Sequence, residues 1–247
     1  MALKMARSAS HSRSCLSLNT GVNDTFPDFS LGSFAVMYGS TAILPLSMLL
    51  CVRAQLPCQL GGLRTNVLFI DGNNTFRLYD VSHIAQLHEL DPRKVLKRIF
   101  ISRAFTAYQM TALVFERLQT DIENFDSKLI IISDIAKLYL DEDIPQKEAR
   151  DVFNQLTVYL SKFARENHVV VVATYLSSCS SERNILLRAV AFEHANIVVP
   201  VKPSKKRSNR MNRQHSVLEK YSLLNLGSNF FSRTPGHAHA LTKFMEA

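Results

Sequence analysis

The sequence predicts an α/β fold with a mostly parallel central sheet, helices on both faces of the sheet and a β-hairpin near the C-terminus. Short runs dense in Val, Ile, Leu and Phe recur along the chain, as in parallel strands that are buried on both faces. Helix-length amphipathic stretches separate these runs. Apolar residues make up 47% of the chain and charged residues 20%, which fits a packed core and excludes a wholly disordered protein.

The apolar runs predict strands at residues 34–38, 66–71, 98–102, 128–133, 169–174 and 195–201. The stretches between them predict helices at residues 43–55, 78–89, 106–125, 146–166 and 181–193. In the third predicted helix, apolar residues recur at helical spacing and form one stripe: Met110, Leu113, Val114, Leu118, Ile122 and Phe125. We interpret this stripe as core rather than as a binding groove.

The pattern changes after residue 201. Residues 202–213 read Lys-Pro-Ser-Lys-Lys-Arg-Ser-Asn-Arg-Met-Asn-Arg, and a strand-like run follows at residues 216–224. Together they predict a β-hairpin with a basic tip. Residues 227–247 have no clear period and predict a loose tail, and residues 1–17 predict a disordered basic tail. We therefore expect one core domain over residues 18–226.

The charge balance favours a polyanionic partner. The chain has 29 Lys and Arg against 21 Asp and Glu, and much of the excess lies near its two ends. Such an excess favours binding to nucleic acid or to an anionic membrane surface, and it does not distinguish between these two partners.

One uncharged segment, residues 34–52, is long enough to be tested as a membrane span. Its interruption by Gly39-Ser40-Thr41 and Pro45 favours a buried strand, a turn and a buried helix instead. Residues 1–14 lead into no apolar stretch of the kind that a secretory signal needs. We therefore expect a cytoplasmic protein that does not bind membranes.

The cysteines predict no metal site. Cys15, Cys51, Cys58 and Cys179 lack the paired spacing of metal ligands. Cys51 and Cys58 lie in or beside apolar sequence, where a thiol is usually a small core residue. This pattern is typical of a protein in a reducing compartment.

A set of short motifs resembles a known family. The motifs are, in chain order, Leu18-Asn19-Thr20-Gly21, Leu31-Gly32-Ser33, Gln55-Leu56-Pro57, Gly61-Gly62-Leu63, the run from Phe69 to Arg77, Leu90-Asp91-Pro92, Arg103-Ala104-Phe105 and Ala136-Lys137-Leu138-Tyr139. Their order and spacing resemble the core domain of the recombinase family that includes RecA, archaeal RadA and the eukaryotic strand-exchange proteins, with RadA-like proteins the most similar. The resemblance covers residues 18–224 and implies a RecA-like P-loop NTPase fold.

The phosphate loop that the resemblance implies is degenerate. In this fold a loop of the form G-x-x-x-x-G-K-[ST] holds phosphates with backbone N–H groups, a Lys and a Mg²⁺-binding hydroxyl. In the segment that begins Gly39-Ser40-Thr41, the second glycine, the lysine and the hydroxyl positions fall on Leu44, Pro45 and Leu46. No Lys or Arg occurs in residues 14–52, so no other register restores the cation. An ordinary interpretation is the first turn of a buried helix, where Pro is tolerated.

The acidic motifs of the resembled family are altered as well. The family's general base is a Glu two residues after the Asp of its second strand; Asp71 is present here, but Asn73 replaces the Glu. The family's metal-orienting Asp is replaced by Ser133, and Asp134 comes one residue later, on the other face of the strand. Asp134 could still bind a cation, but we interpret it as a solvated carboxylate at the strand end. We interpret Asn73 as part of a turn.

These changes predict that the chain has no catalytic residues and does not hydrolyse ATP. Every charged element of the site is altered, and each normally contributes several kcal/mol of transition-state stabilisation. Leu176 also replaces the family's polar sensor and cannot sense a phosphate. We expect no cofactor, ATP with Mg²⁺ included. The alternative is a DNA-dependent ATPase of the recombinase family with an atypical phosphate loop.

In the resembled family, the segment after the fifth strand and the following hairpin contact DNA. The cations of the matching region here are Arg183, Arg188, Lys202, Lys205, Lys206, Arg207, Arg210 and Arg213. No acid interrupts residues 202–213, so this run attracts phosphates in a sequence-independent, salt-sensitive way, unless it is only a solvated turn. The resemblance implies a non-catalytic accessory protein of DNA recombination and repair. Its expected partners are DNA, a recombinase subunit or a copy of itself.

Overall fold

The computed structural model describes residues 15–18, 26–176 and 181–202. The predicted β-hairpin and C-terminal tail lie outside the described residues, as do residues 1–14. Residues 15–17, which we assigned to the N-terminal tail, belong to the fold. There β1 (Cys15–Leu16) pairs antiparallel with β2 (Phe29–Ser30), and the Leu16 side chain is fully buried.

The centre of the fold is a six-stranded sheet in which all neighbouring strands run parallel. Its strands are β3 (Phe34–Gly39), β4 (Asn66–Asp71), β5 (Ile99–Arg103), β6 (Ser127–Ser133), β7 (Val170–Leu176) and β8 (Ile197–Val201). Their order across the sheet is β5-β4-β6-β7-β3-β8. The predicted α/β class with a mostly parallel sheet is therefore confirmed.

Helices cover both faces of this sheet, as predicted. One face packs against α1 (Ile43–Arg53), α2 (Leu78–Leu87) and α3 (Pro92–Leu96). The other face packs against α4 (Ala107–Ala112), α5 (Leu118–Asn124), α6 (Gln146–Asn167) and α7 (Glu182–His194). Successive strand residues point to opposite faces, so Val36 and Met37 belong to different core clusters, one on each side of the sheet.

The helix predicted at residues 106–125 is interrupted. A π-helical turn, Leu113–Arg117, separates α4 from α5. The predicted apolar stripe is nevertheless core, since Met110, Val114 and Leu118 are buried in one cluster. The sequence patterns did not predict the short helix α3, which begins at Pro92 after Asp91, whose side chain accepts a hydrogen bond from the Arg93 amide (2.9 Å).

The uncharged segment of residues 34–52 forms β3, a turn and most of α1, as predicted. Helix α1 has 11 residues, too few to cross a bilayer. In the part of the chain that the structure describes, no helix combines the length and apolar character of a membrane span.

Candidate functional site

The connection from β3 to α1 lies where the sequence predicted a degenerate phosphate loop. Gly39 ends β3 and Ile43 begins α1, so the chain between them consists of Ser40, Thr41 and Ala42. A P-loop needs four residues between its two glycines before the helix begins. The helix here starts too early to leave such a loop.

Backbone donors of this turn bind acceptors within the protein. The Ser40 amide donates to the carbonyl oxygen of Val201 (3.0 Å), the last residue of β8. The Ala42 amide donates to the Ser40 hydroxyl (3.3 Å), and the Ile43 amide to the Ser40 carbonyl (3.1 Å). A phosphate loop would direct such amides at its ligand.

Gly39 fits this arrangement because it has no side chain. Its φ of +124° is a backbone conformation that favours glycine. A Cβ atom at this position would lie 2.5 Å from the Val201 carbonyl oxygen, closer than real contacts allow. Strand β8 and the turn are therefore in direct backbone contact.

The three residues at the predicted motif positions lie in the first turn of α1. Leu44 and Pro45 are half-buried, and Leu46 is buried in the core. The nearest hydroxyl after them belongs to Ser47, which is also buried and donates to the Ile43 carbonyl oxygen (3.0 Å). These side chains contribute packing and no charge at the helix N-terminus.

Asp71, at the end of β4, organises the loop that leads to α2. Its carboxylate is 1% exposed and accepts the amides of Thr75 (2.9 Å) and Phe76 (3.0 Å). The Thr75 hydroxyl (3.2 Å) and the Asn73 amide (3.4 Å) also donate to it. The lone pairs of Asp71 are thus engaged by its own loop.

Asp134 is not the solvated carboxylate that we predicted. It is 4% exposed, with a left-handed φ of +48°. One carboxylate oxygen accepts the Asn73 side-chain amide (2.9 Å), and the other accepts the backbone amide of Leu176 (3.2 Å). The prediction was wrong because the loop after β4 and the end of β7 both close onto this strand end.

Burial raises the pKa of Asp134 to about 6, because a charged carboxylate loses its hydration there. The hydrogen bond from Leu176, the charge of Lys137 and the hydrogen bond from Asn73 act in the opposite direction and favour the ionised form. Asp134 therefore changes its charge close to neutral pH.

Ser133 and Thr174 complete this network at the carboxyl ends of the strands. The buried Ser133 hydroxyl contacts the Thr75 hydroxyl, and the Thr174 hydroxyl accepts the Asp134 amide (2.8 Å). Within the described residues, no group of three or more His, Cys, Asp or Glu is placed to hold a metal ion. The acids and hydroxyls of this edge are bound to one another in a closed network.

The structure describes three of the predicted DNA-binding cations: Arg183 and Arg188 on α7, and Lys202 directly after β8. The Arg183 guanidinium donates to the carbonyl oxygen of Ile144 (3.0 Å), and its two other nitrogens are buried. Lys202 is exposed and Arg188 is half-buried. The five remaining cations, Lys205, Lys206, Arg207, Arg210 and Arg213, lie outside the described residues.

Sequence reasoning missed an exposed aromatic surface beside β5. This strand is at the edge of the sheet and pairs only with β4 among the described strands. Near its carboxyl end, Phe105 is 72% exposed and Tyr108 is 62% exposed, while Tyr79 at the start of α2 is 85% exposed. The only sequence signal was the position of these rings in otherwise polar stretches.

Sequence comparisons find similarity to a protein family and to three of its named members. The profile of the Rad51 family matches residues 29–188. The chain is 31% identical over 132 residues to the meiotic recombination protein DMC1 of Saccharomyces cerevisiae, covering 52% of this chain and 39% of that protein. It is 30% identical to the DNA repair and recombination protein RadA of Cenarchaeum symbiosum, covering 54% of this chain and 34% of that protein. It is also 30% identical to the DNA repair and recombination protein RadA of Aeropyrum pernix, covering 51% of this chain and 40% of that protein.

The match thus spans at most 40% of the length of these relatives. The family profile covers more than half of this chain, and the parallel sheet with helices on both faces agrees with the expected RecA-like core. The chain belongs to the Rad51 family.

Proposed function

We propose that this chain is a non-catalytic member of the Rad51 family that acts in DNA recombination or repair by binding DNA, a recombinase subunit or both. Its relatives, a meiotic recombination protein and two DNA repair and recombination proteins, support the process. The closed turn between β3 and α1 carries the non-catalytic part of the proposal.

Three features of the turn, of the surrounding sequence and of the loop after β4 argue against nucleotide hydrolysis. The Ser40 amide is bound to Val201, and no Lys or Arg occurs in residues 14–52 to neutralise a triphosphate. Asn73 cannot act as a general base, because an amide does not accept a proton from water near neutral pH. Phosphoryl transfer depends on positioned positive charge. Each of these losses therefore removes several kcal/mol of transition-state stabilisation.

The surface beside β5 supports a protein partner. An unpaired strand edge offers free N–H and C=O groups for pairing with another chain. Ile101 on this strand is exposed, and so are the rings of Phe105 and Tyr108 near its carboxyl end. Exposed aromatic residues are enriched among the residues that dominate binding energy at interfaces. The candidate partners are a recombinase subunit and a second copy of this chain.

The basic run of residues 202–213 supports DNA as the other partner. It contains six cations and no acid: Lys202, Lys205, Lys206, Arg207, Arg210 and Arg213. Binding through such a run follows the phosphates rather than the bases, and it weakens as salt displaces the condensed counterions. The affinity should therefore be insensitive to DNA sequence.

A binding titration tests both halves of the proposal. The purified chain is titrated with labelled DNA at low salt and, separately, with a catalytically active Rad51-family recombinase. We expect binding to at least one of them, and the double change Ile101→Ala and Phe105→Ala should weaken recombinase binding by about ten-fold or more. Leu60→Ala is the matched control, because Leu60 is also exposed (54%) but lies between α1 and β4.

The outcomes separate the alternatives. Absence of binding to both DNA and a recombinase contradicts the proposal. Phosphate release that DNA stimulates, from the same preparation, would instead support a DNA-dependent ATPase with an atypical loop. Equal losses in the double variant and in Leu60→Ala would show that the surface beside β5 is not the contact.

A further inference from the structure

The side chain of Asp134 joins two segments that are far apart in the sequence. The loop after β4 reaches it through the Asn73 side-chain amide (2.9 Å), and the end of β7 reaches it through the Leu176 backbone amide (3.2 Å). We propose that Asp134 is a proton-controlled latch that holds the loop after β4 against the end of β7.

The local backbone supports a dedicated role for this residue. Asp134 directly follows β6 and adopts a φ of +48°, which is uncommon for a residue with a side chain. Its own amide donates to the Thr174 hydroxyl (2.8 Å), and the next amide, of Ile135, donates to the Thr174 carbonyl oxygen (3.0 Å). These bonds hold the backbone of the residue whose carboxyl group lies between Asn73 and Leu176.

The two protonation states of the carboxyl group differ in what they can bind. An ionised carboxylate accepts both amide donors, and such charge-assisted bonds are roughly twice as strong as neutral ones. A protonated carboxyl has an O–H donor of its own, which needs an acceptor. The Asn73 side chain can supply that acceptor if its amide group rotates so that the oxygen faces Asp134. The Leu176 amide then donates to a neutral carboxyl group. Protonation therefore weakens the hold on the end of β7.

The groups around Asp134 leave its charge free to change near neutral pH. Burial raises its pKa to about 6, against the opposing charge of Lys137. On β7, burial raises the pKa of the Tyr175 phenol, the charge of Arg188 on α7 lowers it and the charge of Asp134 raises it, so Tyr175 stays neutral in the same range. On β4, Asp71 is engaged by its own loop. On the side of α4, the apolar side chain of Met110 lies beside Gly72, in the loop after β4.

Leu176 is the last residue of β7, so a weaker bond from its amide to Asp134 loosens the end of that strand. This inference does not depend on the proposed function, since it concerns one carboxyl group and its two donors.

A pH titration followed by NMR tests the latch. The amide proton of Leu176 is observed from about pH 4.5 to about pH 8. We expect its shift to change with a midpoint near pH 6, moving upfield as the acceptor loses its charge, and to stop titrating in Asp134→Asn. Asp126→Asn is the matched control, because Asp126 also has a left-handed φ (+45°) but is exposed. The control should titrate like the unmodified chain.

A second variant keeps the test decisive if Asp134→Asn does not fold. Asn73 is exposed, and its hydrogen bond lowers the pKa of Asp134. Asn73→Ala should therefore move the Leu176 midpoint to higher pH. A Leu176 shift that is flat between about pH 5 and about pH 7, or a midpoint unchanged in Asn73→Ala, would overturn the proposal.

Discussion

The carbonyl oxygen of Val201 accepts the amide of Ser40 at 3.0 Å, so the end of β8 is bound to the turn where a phosphate loop would open. The contact joins two neighbouring strands of the sheet, since β3 pairs with β8 in parallel register from Ala35 to Gly39. A backbone acceptor thus uses a donor that a nucleotide would need.

The close contact between Gly39 and Val201 predicts a large cost for Gly39→Ala. The added Cβ would lie 2.5 Å from a backbone oxygen, at a φ of +124°. We expect a loss of about 2–4 kcal/mol in the free energy of unfolding, measured by urea denaturation. Gly32→Ala is the control, since Gly32 also has a positive φ (+86°) but its nearest neighbour would be 3.7 Å away. Equal losses in the two variants would show that the contact with β8 is unimportant.

Replacement of Asp71 should unfold the loop after β4 rather than remove a catalytic group. Asp71→Ala leaves the buried amide of Thr75 and the partly buried amide of Phe76 without their acceptor. We expect a loss of about 3 kcal/mol or more by thermal or urea unfolding. Asp91→Ala, which removes one exposed cap at the start of α3, should cost about 1 kcal/mol. Similar losses in both would contradict the structural role assigned to Asp71.

The ionisation of Asp134 predicts how stability depends on pH. Its pKa in the folded chain is about 6, above the ordinary 3.8, so the folded state binds the proton more tightly than the unfolded state. This contribution to stability is full below about pH 3.8 and is lost as the pH rises through about 6. Above that pH, Asp134→Asn should be more stable than the unmodified chain by about 1–3 kcal/mol. The gain should shrink as the pH falls, and a gain that is constant from about pH 4 to about pH 8 would contradict the assignment.

The basic run after β8 predicts a salt-dependent DNA affinity. The slope of log affinity against log salt concentration is negative. Replacing Lys205, Lys206 and Arg207 with Ala should reduce the size of this slope by about 2–3, if each side chain contacts one phosphate. Arg93, Lys94 and Lys97, which are exposed on or directly after α3, give a control triple with the same loss of charge. Equal effects of the two triples in fluorescence anisotropy would mean that only net charge matters.

The fold was predictable because the strands are apolar runs of the expected length. The run of residues 66–71 forms β4 with the predicted bounds, and α1 and α6 begin where predicted. The break at Leu113–Arg117 was not predictable, since the apolar stripe continues through it. A π-helical turn changes hydrogen bonding more than it changes the pattern of buried side chains.

The site was predictable only in its local part. The sequence identified Leu44, Pro45 and Leu46 as the first turn of a buried helix, and the structure places them there. It could not identify the acceptor of the Ser40 amide, because Val201 lies in a different strand, far along the chain. The environment of Asp134 was predicted wrongly for the same reason, since its burial depends on Asn73 and Leu176.

Calorimetric titration with ATP and Mg²⁺ tests whether the turn after β3 excludes a triphosphate. The same preparation is assayed for phosphate release with and without DNA, beside a catalytically active Rad51-family protein as positive control. We expect no saturable heat at millimolar nucleotide and no release above background. Saturable binding, with or without DNA-stimulated release, would show that the turn admits a triphosphate.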